Sequence, residues 1–177
     1  MGIRIGIAGV VLSAVLLPLA AREATGEMTR LERQVWHELV TLPLYGVFDN
    51  LEFRVEGTKV TLMGQTVRPT IKSSAANVVQ RIEGVTEVVN EIEVLPVSPN
   101  DDRIRLAVYR AIYSHPALNR YQVRAVPPIH IIVKNGHVTL EGMVASEGDR
   151  NIANIEANRV SGVFSVTNKL RVDSERV

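Results

Sequence analysis

Cysteine is absent from the 177 residues. That excludes a disulfide framework, a thiolate metal centre and a lipid-bearing cysteine behind an export signal. It does not argue against export, since disulfides are permitted rather than required in oxidising compartments. The four histidines, His37, His115, His130 and His137, show no metal-type spacing among themselves. His37-Glu38 and His115-Pro116 are not recognisable catalytic settings, and Gly2–Gly9 belongs to an apolar N-terminus rather than to a phosphate-binding loop. Neither enzyme activity nor a metal or cofactor is expected. An excess of one charge is missing too, with 20 Lys+Arg against 19 Asp+Glu. Near-neutrality disfavours a nucleic-acid partner.

Only one long hydrophobic run occurs. Ile5–Ala21 follows Arg4, the sole charge before Arg22. It is long for the core of a signal peptide and short for a comfortable membrane span. Pro18 and the pair Ala20-Ala21 suit cleavage in the Ala20–Ala24 region, although no A-x-A site is present. Residues 1–24 are therefore read as a signal peptide or a retained N-terminal anchor. Either reading puts the rest of the chain in the periplasm or at the envelope.

What the sequence does contain, it contains twice. Val60-Thr61-Leu62-Met63-Gly64 returns 78 residues later as Val138-Thr139-Leu140-Glu141-Gly142, and Gly84-Val85 returns as Gly162-Val163. Between 60–92 and 138–170, 10 of 33 positions are identical without a gap. Internal duplication is the simplest account. It divides the chain into modules at 27–96 and 101–172, each with a thin core if it stands alone. The first carries 7 basic and 10 acidic groups, and the second 10 basic and 6 acidic. An acidic unit tied to a basic one can pair internally or offer the basic one to an anionic partner.

Each module reads as helix, strand, strand, helix, strand. Leu31, Val35 and Leu39, with Trp36 beside them, mark an amphipathic helix ending before Pro43; Ile104, Val108 and Ile112 mark its counterpart before Pro116. Asp101 or Asp102 is placed to cap the latter. Asn135-Gly136 between apolar alternations signals a tight hairpin, with Gly57 in the matching place. Ala75, Val79 and Ile82, and then Ala153, Ala157 and Val160, line the second helices. Gly84 and Gly162 are expected at their C′ positions. The last strands alternate through Val88, Asn90, Ile92, Val94 and Val166, Asn168, Leu170, Val172. The linker Pro96–Asn100 is short and stiffened by two prolines. The first helices align at an offset of 73 (Val35 with Val108, Pro43 with Pro116), so five extra residues lie within Pro116–Ile129.

The twice-met pattern V-x-L-x-G, followed by G-V-x-x-V-x-N, resembles the BON domain family of exported bacterial proteins, including the osmotically induced periplasmic proteins. It is carried by Val60–Gly64, Gly84–Asn90 and their copies at 138–142 and 162–168. The resemblance implies an α+β fold: two tandem αββαβ modules, each a three-stranded mixed sheet with two helices on one face. It also implies a non-enzymatic envelope role in phospholipid attachment or envelope maintenance. Tandem members are often lipoproteins, and the missing cysteine departs from that pattern.

Two uses of the surface follow. Arg103, Arg105 and Arg110, with Tyr109 and Tyr113 on the same helix and Arg120, Tyr121 and Arg124 in the next loop, form a candidate surface for anionic phospholipid. Guanidinium groups pair with phosphates, and tyrosines suit an interface with one wet end. The plainer alternative is a solvated helix face. The other use is protein interaction, with another envelope protein or a second copy, through the open edges of a small sheet. A rival internal role sets Glu91 and Glu93 against Lys169 and Arg171, should the modules meet edge to edge. Gly64, Gly84, Gly142 and Gly162 are read as backbone requirements, and Asn90 and Asn168 as satisfying buried backbone groups near strand ends.

Overall fold

The computed structural model describes residues 28–124 and 126–173; the N-terminal signal or anchor lies outside them. The first module runs α1 (Arg30–Val40), β1 (Asn50–Glu56), β2 (Lys59–Thr66), α2 (Pro69–Val79), β3 (Glu87–Asn90) and β4 (Glu93–Val94). The second repeats this as α3 (Pro99–Ser114), β5 (Ile129–Lys134), β6 (His137–Val144), α4 (Glu147–Asn158), β7 (Ser165–Asn168) and β8 (Arg171–Val172). A 3₁₀ turn at Asn119–Val123 lies in the insertion. In each sheet the first two strands are antiparallel and the later ones add in parallel to the second. Each fold is thus α+β, with the sheet covered by two helices.

Thr29 and Glu32 start α1 by a reciprocal capping box, satisfying two orphan N–H groups. Ser98, not Asp101 or Asp102, caps α3, and Pro99 takes its first turn. The linker is correspondingly shorter than expected. Asp101 is buried and instead accepts the Asn135 and Gly136 N–H groups, each at 2.9 Å. It ties the helix start to the β5–β6 hairpin, where both turn residues have positive φ.

The expected third strand is broken in two in each module. β3 and β4 nevertheless keep one register against β2, Leu62 facing Asn90 and Gln65 facing Glu93. The break is made by asparagine. Asn90 Nδ2 donates to the Lys72 carbonyl at 2.8 Å while its Oδ1 accepts the Ile92 N–H. Asn168 does the same with Arg150 and Leu170. Each side chain ties the helix to the strand and turns the next apolar residue, Ile92 or Leu170, into the core. Asn168→Ala leaves those groups unpaired and should cost about 1–3 kcal/mol in a urea titration.

Gly84 and Gly162 do not stand at C′. The helices end earlier, at Gln80 and Arg159, and each glycine is third in a following turn closed by Val85 N–H on the Ile82 carbonyl or by Val163 N–H on that of Val160. Positive φ at that position suits a type II turn.

The modules have separate cores. Val35, Leu39, Val60, Leu62, Ile71 and Val79 build the first; Ile104, Val108, Ile131, Val138, Leu140 and Ala153 anchor the second. Among the described residues, the core residues fall between Leu31 and Val172, all within a chain that begins at Thr25.

The junction is made mainly by the segment entering β1. The Val47 carbonyl accepts the Ile131 N–H at 2.8 Å, the Phe48 ring meets Tyr109 edge-on at 6.2 Å, and Tyr45 lies 5.7 Å from the His130 ring. Lys134 pairs across the junction with Glu93 at 2.5 Å, whereas Lys169 pairs within its own module with Glu141 at 2.9 Å. The proposed opposition of Glu91 and Glu93 to Lys169 and Arg171 is therefore replaced. Contact runs through the β1 entry, through β4 at Glu93 and through the end of β5, and the two last-strand ends do not pair with each other.

Burial lowers the pKa of His130, opposed by the carbonyls of Asp49 and Gly46 and by the Asp49 carboxylate. The folded state thus prefers neutral imidazole, and the unfolded chain takes up the proton first as pH falls. Stability is full above the unfolded value of about 6.5 and declines as pH drops through it. His130→Phe, which keeps a ring against Tyr45, should flatten the stability profile between pH 7 and 5 in parallel urea titrations.

Candidate functional site

The outward side of α3 gathers what the sequence singled out only in part. Arg103, Leu106 and Arg110, at spacings of three and four, share one flank of the helix, and all three are exposed. Tyr109 lies beside them, half-buried, its hydroxyl accepting from Gln122 Nε2 at 3.0 Å. Between α3 and the β1 entry is a groove of 450 Å³ lined by Val47, Phe48, Leu106, Tyr109, Gln122, Arg124 and Pro127. Val123, 87% exposed, projects from the adjoining 3₁₀ turn. Arg110 and Arg124 make no ion pair among the described residues, and Arg103 bonds only the neutral Asn100 side chain at 2.8 Å. The result is an apolar groove with Arg124 in its wall, on a helix flank that also carries the exposed Arg103 and Arg110.

Two of the eight expected contact residues are not on this surface. Arg105 is buried, paired with Asp102 and donating to the Val133 carbonyl at 2.6 Å. Tyr113 is buried in the core, its hydroxyl donating to the Ile129 carbonyl at 2.7 Å. Burial forces its pKa up. Both reach the β5 edge: Arg105 by its helical phase beside Ile104 and Val108, and Tyr113, which is one heptad from the exposed Leu106, because Leu118 and Ile129 cover the last turn of α3. Arg120 and Tyr121 are engaged as well. They converge on Asp149 at 2.5 and 2.9 Å, and the Tyr121 hydroxyl accepts the Ala145 N–H, so the insertion braces the start of α4.

The face also includes residues the sequence reading left out. Leu106 carried a usable signal: it is apolar yet out of phase with Ile104, Val108 and Ile112. Val47 and Phe48 carried none, because they come from the other module.

A second basic concavity of 690 Å³ lies between α1 and the turn after α2. It is lined by Arg30, Arg33, His37 and Arg81 but also by Glu38 and Glu83, which interrupt its positive charge. His137 lies 2.7 Å from Ser165 Oγ, but no carboxylate among the described residues bonds the imidazole to complete a nucleophile-activating arrangement.

The duplicated αββαβ fold meets its match in comparison with known families. The BON domain matches residues 29–96 and again 100–174. The chain belongs to the BON domain family. Two solved structures are remotely similar to this BON protein. The C-terminal domain of CdsD, a structural protein of the type III secretion system of Chlamydia trachomatis, is 11% identical with a TM-score of 0.33, covering 83% of this chain and 99% of that one. Another structure of CdsD is 12% identical with a TM-score of 0.28, covering 82% and 94%. Scores this low carry no argument about function. No helix among the described residues is long and apolar enough to cross a membrane.

Proposed function

We propose that this BON protein is a non-enzymatic component of the bacterial envelope that attaches peripherally to anionic phospholipid through the α3 face. One observation carries the reading: the groove between Leu106, Tyr109 and Phe48 has Arg124 in its wall, and Leu106 shares its exposed helix flank with Arg103 and Arg110; none of the three arginines has a carboxylate partner among the described residues. Arginines facing phosphates supply the attraction, and Leu106, Val123 and the tyrosine supply apolar surface at headgroup depth. Each basic group near an anionic surface contributes about 1 kcal/mol, so three give reversible adhesion. In this reading residues 1–24 direct export or anchor the chain, and the second module is the headgroup reader.

The test is co-sedimentation of residues 25–177 with liposomes, comparing anionic with zwitterionic lipid at low and moderate salt. Binding should be selective for anionic vesicles and weaken with salt, because exposed charges are screened within about a Debye length. Failure to bind either lipid would overturn the assignment.

A further inference from the structure

The two sheets differ in how their outer edges are finished. In each hairpin a two-residue turn closes on a bonded pair, Glu56 with Lys59 and Lys134 with His137. Alternation then sends the backbone groups of Leu51, Phe53 and Val55 in β1, and of Ile129, Ile131 and Val133 in β5, away from the neighbouring strand. On β5 they are met. Tyr113 caps the Ile129 carbonyl, the Val47 carbonyl takes the Ile131 N–H, and Arg105 caps the Val133 carbonyl.

On β1 the same seals are missing by substitution. At the offset of 73, Glu32 stands where Arg105 is and Val40 where Tyr113 is. Glu32 is occupied by the capping box, and Val40 has no hydroxyl. The Leu51 N–H turns toward the Tyr45 hydroxyl, but the outward groups of Phe53 and Val55 find no partner among the described residues. An uncovered edge is a template for another strand.

We propose that this edge pairs antiparallel with β1 of a second copy, about a two-fold axis through Phe53. The segment Asn50-Leu51-Glu52-Phe53-Arg54-Val55-Glu56 is self-complementary in that register. Phe53 lies opposite its own copy, and Leu51 lies opposite Val55. Glu52 faces Arg54 twice, once on each side of the axis. All lie at matching pleat positions, so the charges share the exposed face and the apolar groups share the other. An isologous contact of this kind closes on itself and stops at the dimer. In the single chain Glu52 accepts from the Asn50 amide at 2.8 Å and attracts Lys169 across a concavity shared with the second module, and Arg54 lies 3.9 Å from Glu56 with both side chains exposed. These exposed ties exchange for the pairs across the two-fold axis. The inference goes beyond the lipid reading and does not depend on it.

Sedimentation velocity of residues 25–177 over a concentration series tests it without lipid. The native protein should dimerise. Glu52→Arg or Arg54→Glu sets like charges opposite each other on both sides of the axis and should weaken the dimer at least about tenfold. The double variant E52R/R54E restores opposite charges and should restore the dimer. Circular dichroism of all variants should match, because both side chains are exposed. A native protein that stays monomeric up to about 1 mM overturns the proposal. Single reversals that associate like the native chain, or a double variant that fails to recover, would overturn it as well.

Discussion

Replacing Arg103, Arg110 and Arg124 together by glutamate should abolish co-sedimentation with anionic liposomes. Three groups worth about 1 kcal/mol each change from attraction to repulsion, so apparent affinity should fall at least about a hundredfold. The fold should survive, because all three side chains are exposed and none makes an ion pair among the described residues. The matching control reverses Arg30, Arg33 and Arg81 in the concavity of the first module. It makes the same change in net charge at a different place. A local binding face loses affinity only in the first triple variant; equal loss in both would mean that overall charge, not the α3 face, drives attachment. Arg105 does not belong in this experiment. Its removal uncovers a buried backbone carbonyl, and any loss of binding would be confounded with loss of structure.

Gly142→Ala should leave the second module largely unfolded at room temperature while sparing the first. The glycine has φ +114°, and a Cβ added there would lie 2.0 Å from the Pro128 carbonyl oxygen. Backbone cannot yield as a flexible side chain does, so β5 and β6 must part where their ladder begins. Conformational strain and the lost pairing together cost about 4 kcal/mol or more. A small module holds only about 3–5 kcal/mol in reserve. Hydrogen exchange reads the outcome by module. Amides of β5 through β8 should lose protection, while those of β1 and β2 keep most of theirs. Undiminished protection across the second module would show that the close approach is not required. Gly64, at φ +100° and 2.1 Å from the Asn50 oxygen, predicts the mirror experiment.

How much of this was readable beforehand differs from element to element. The α3 periodicity of Ile104, Val108 and Ile112 marked a buried stripe because a 3.6-residue repeat fixes which side meets the sheet. The same wheel, carried through to Arg105, would have set it beside that stripe; Tyr113 shares the phase of exposed Leu106, and its burial needed Leu118 and Ile129 brought against the last turn. Asn90 and Asn168 were recognisable as structural from their apolar phase. Their ties to the Lys72 and Arg150 carbonyls needed the helix laid across the strand.

The sequence by itself determined the duplication, the α+β order of elements, the helix stripes that enter both cores and the surplus of basic charge in the second module. Those are properties of local periodicity and composition, which survive in one dimension. Tertiary structure alone decided which basic groups are free and which sheet edge is open. Arg120 is engaged because Asp149, 29 residues away, comes to meet it, and the β5 edge is closed in part by Val47 from the other module. Charge and hydrogen-bonding capacity are written in the residue, but whether they are satisfied depends on what the fold brings alongside.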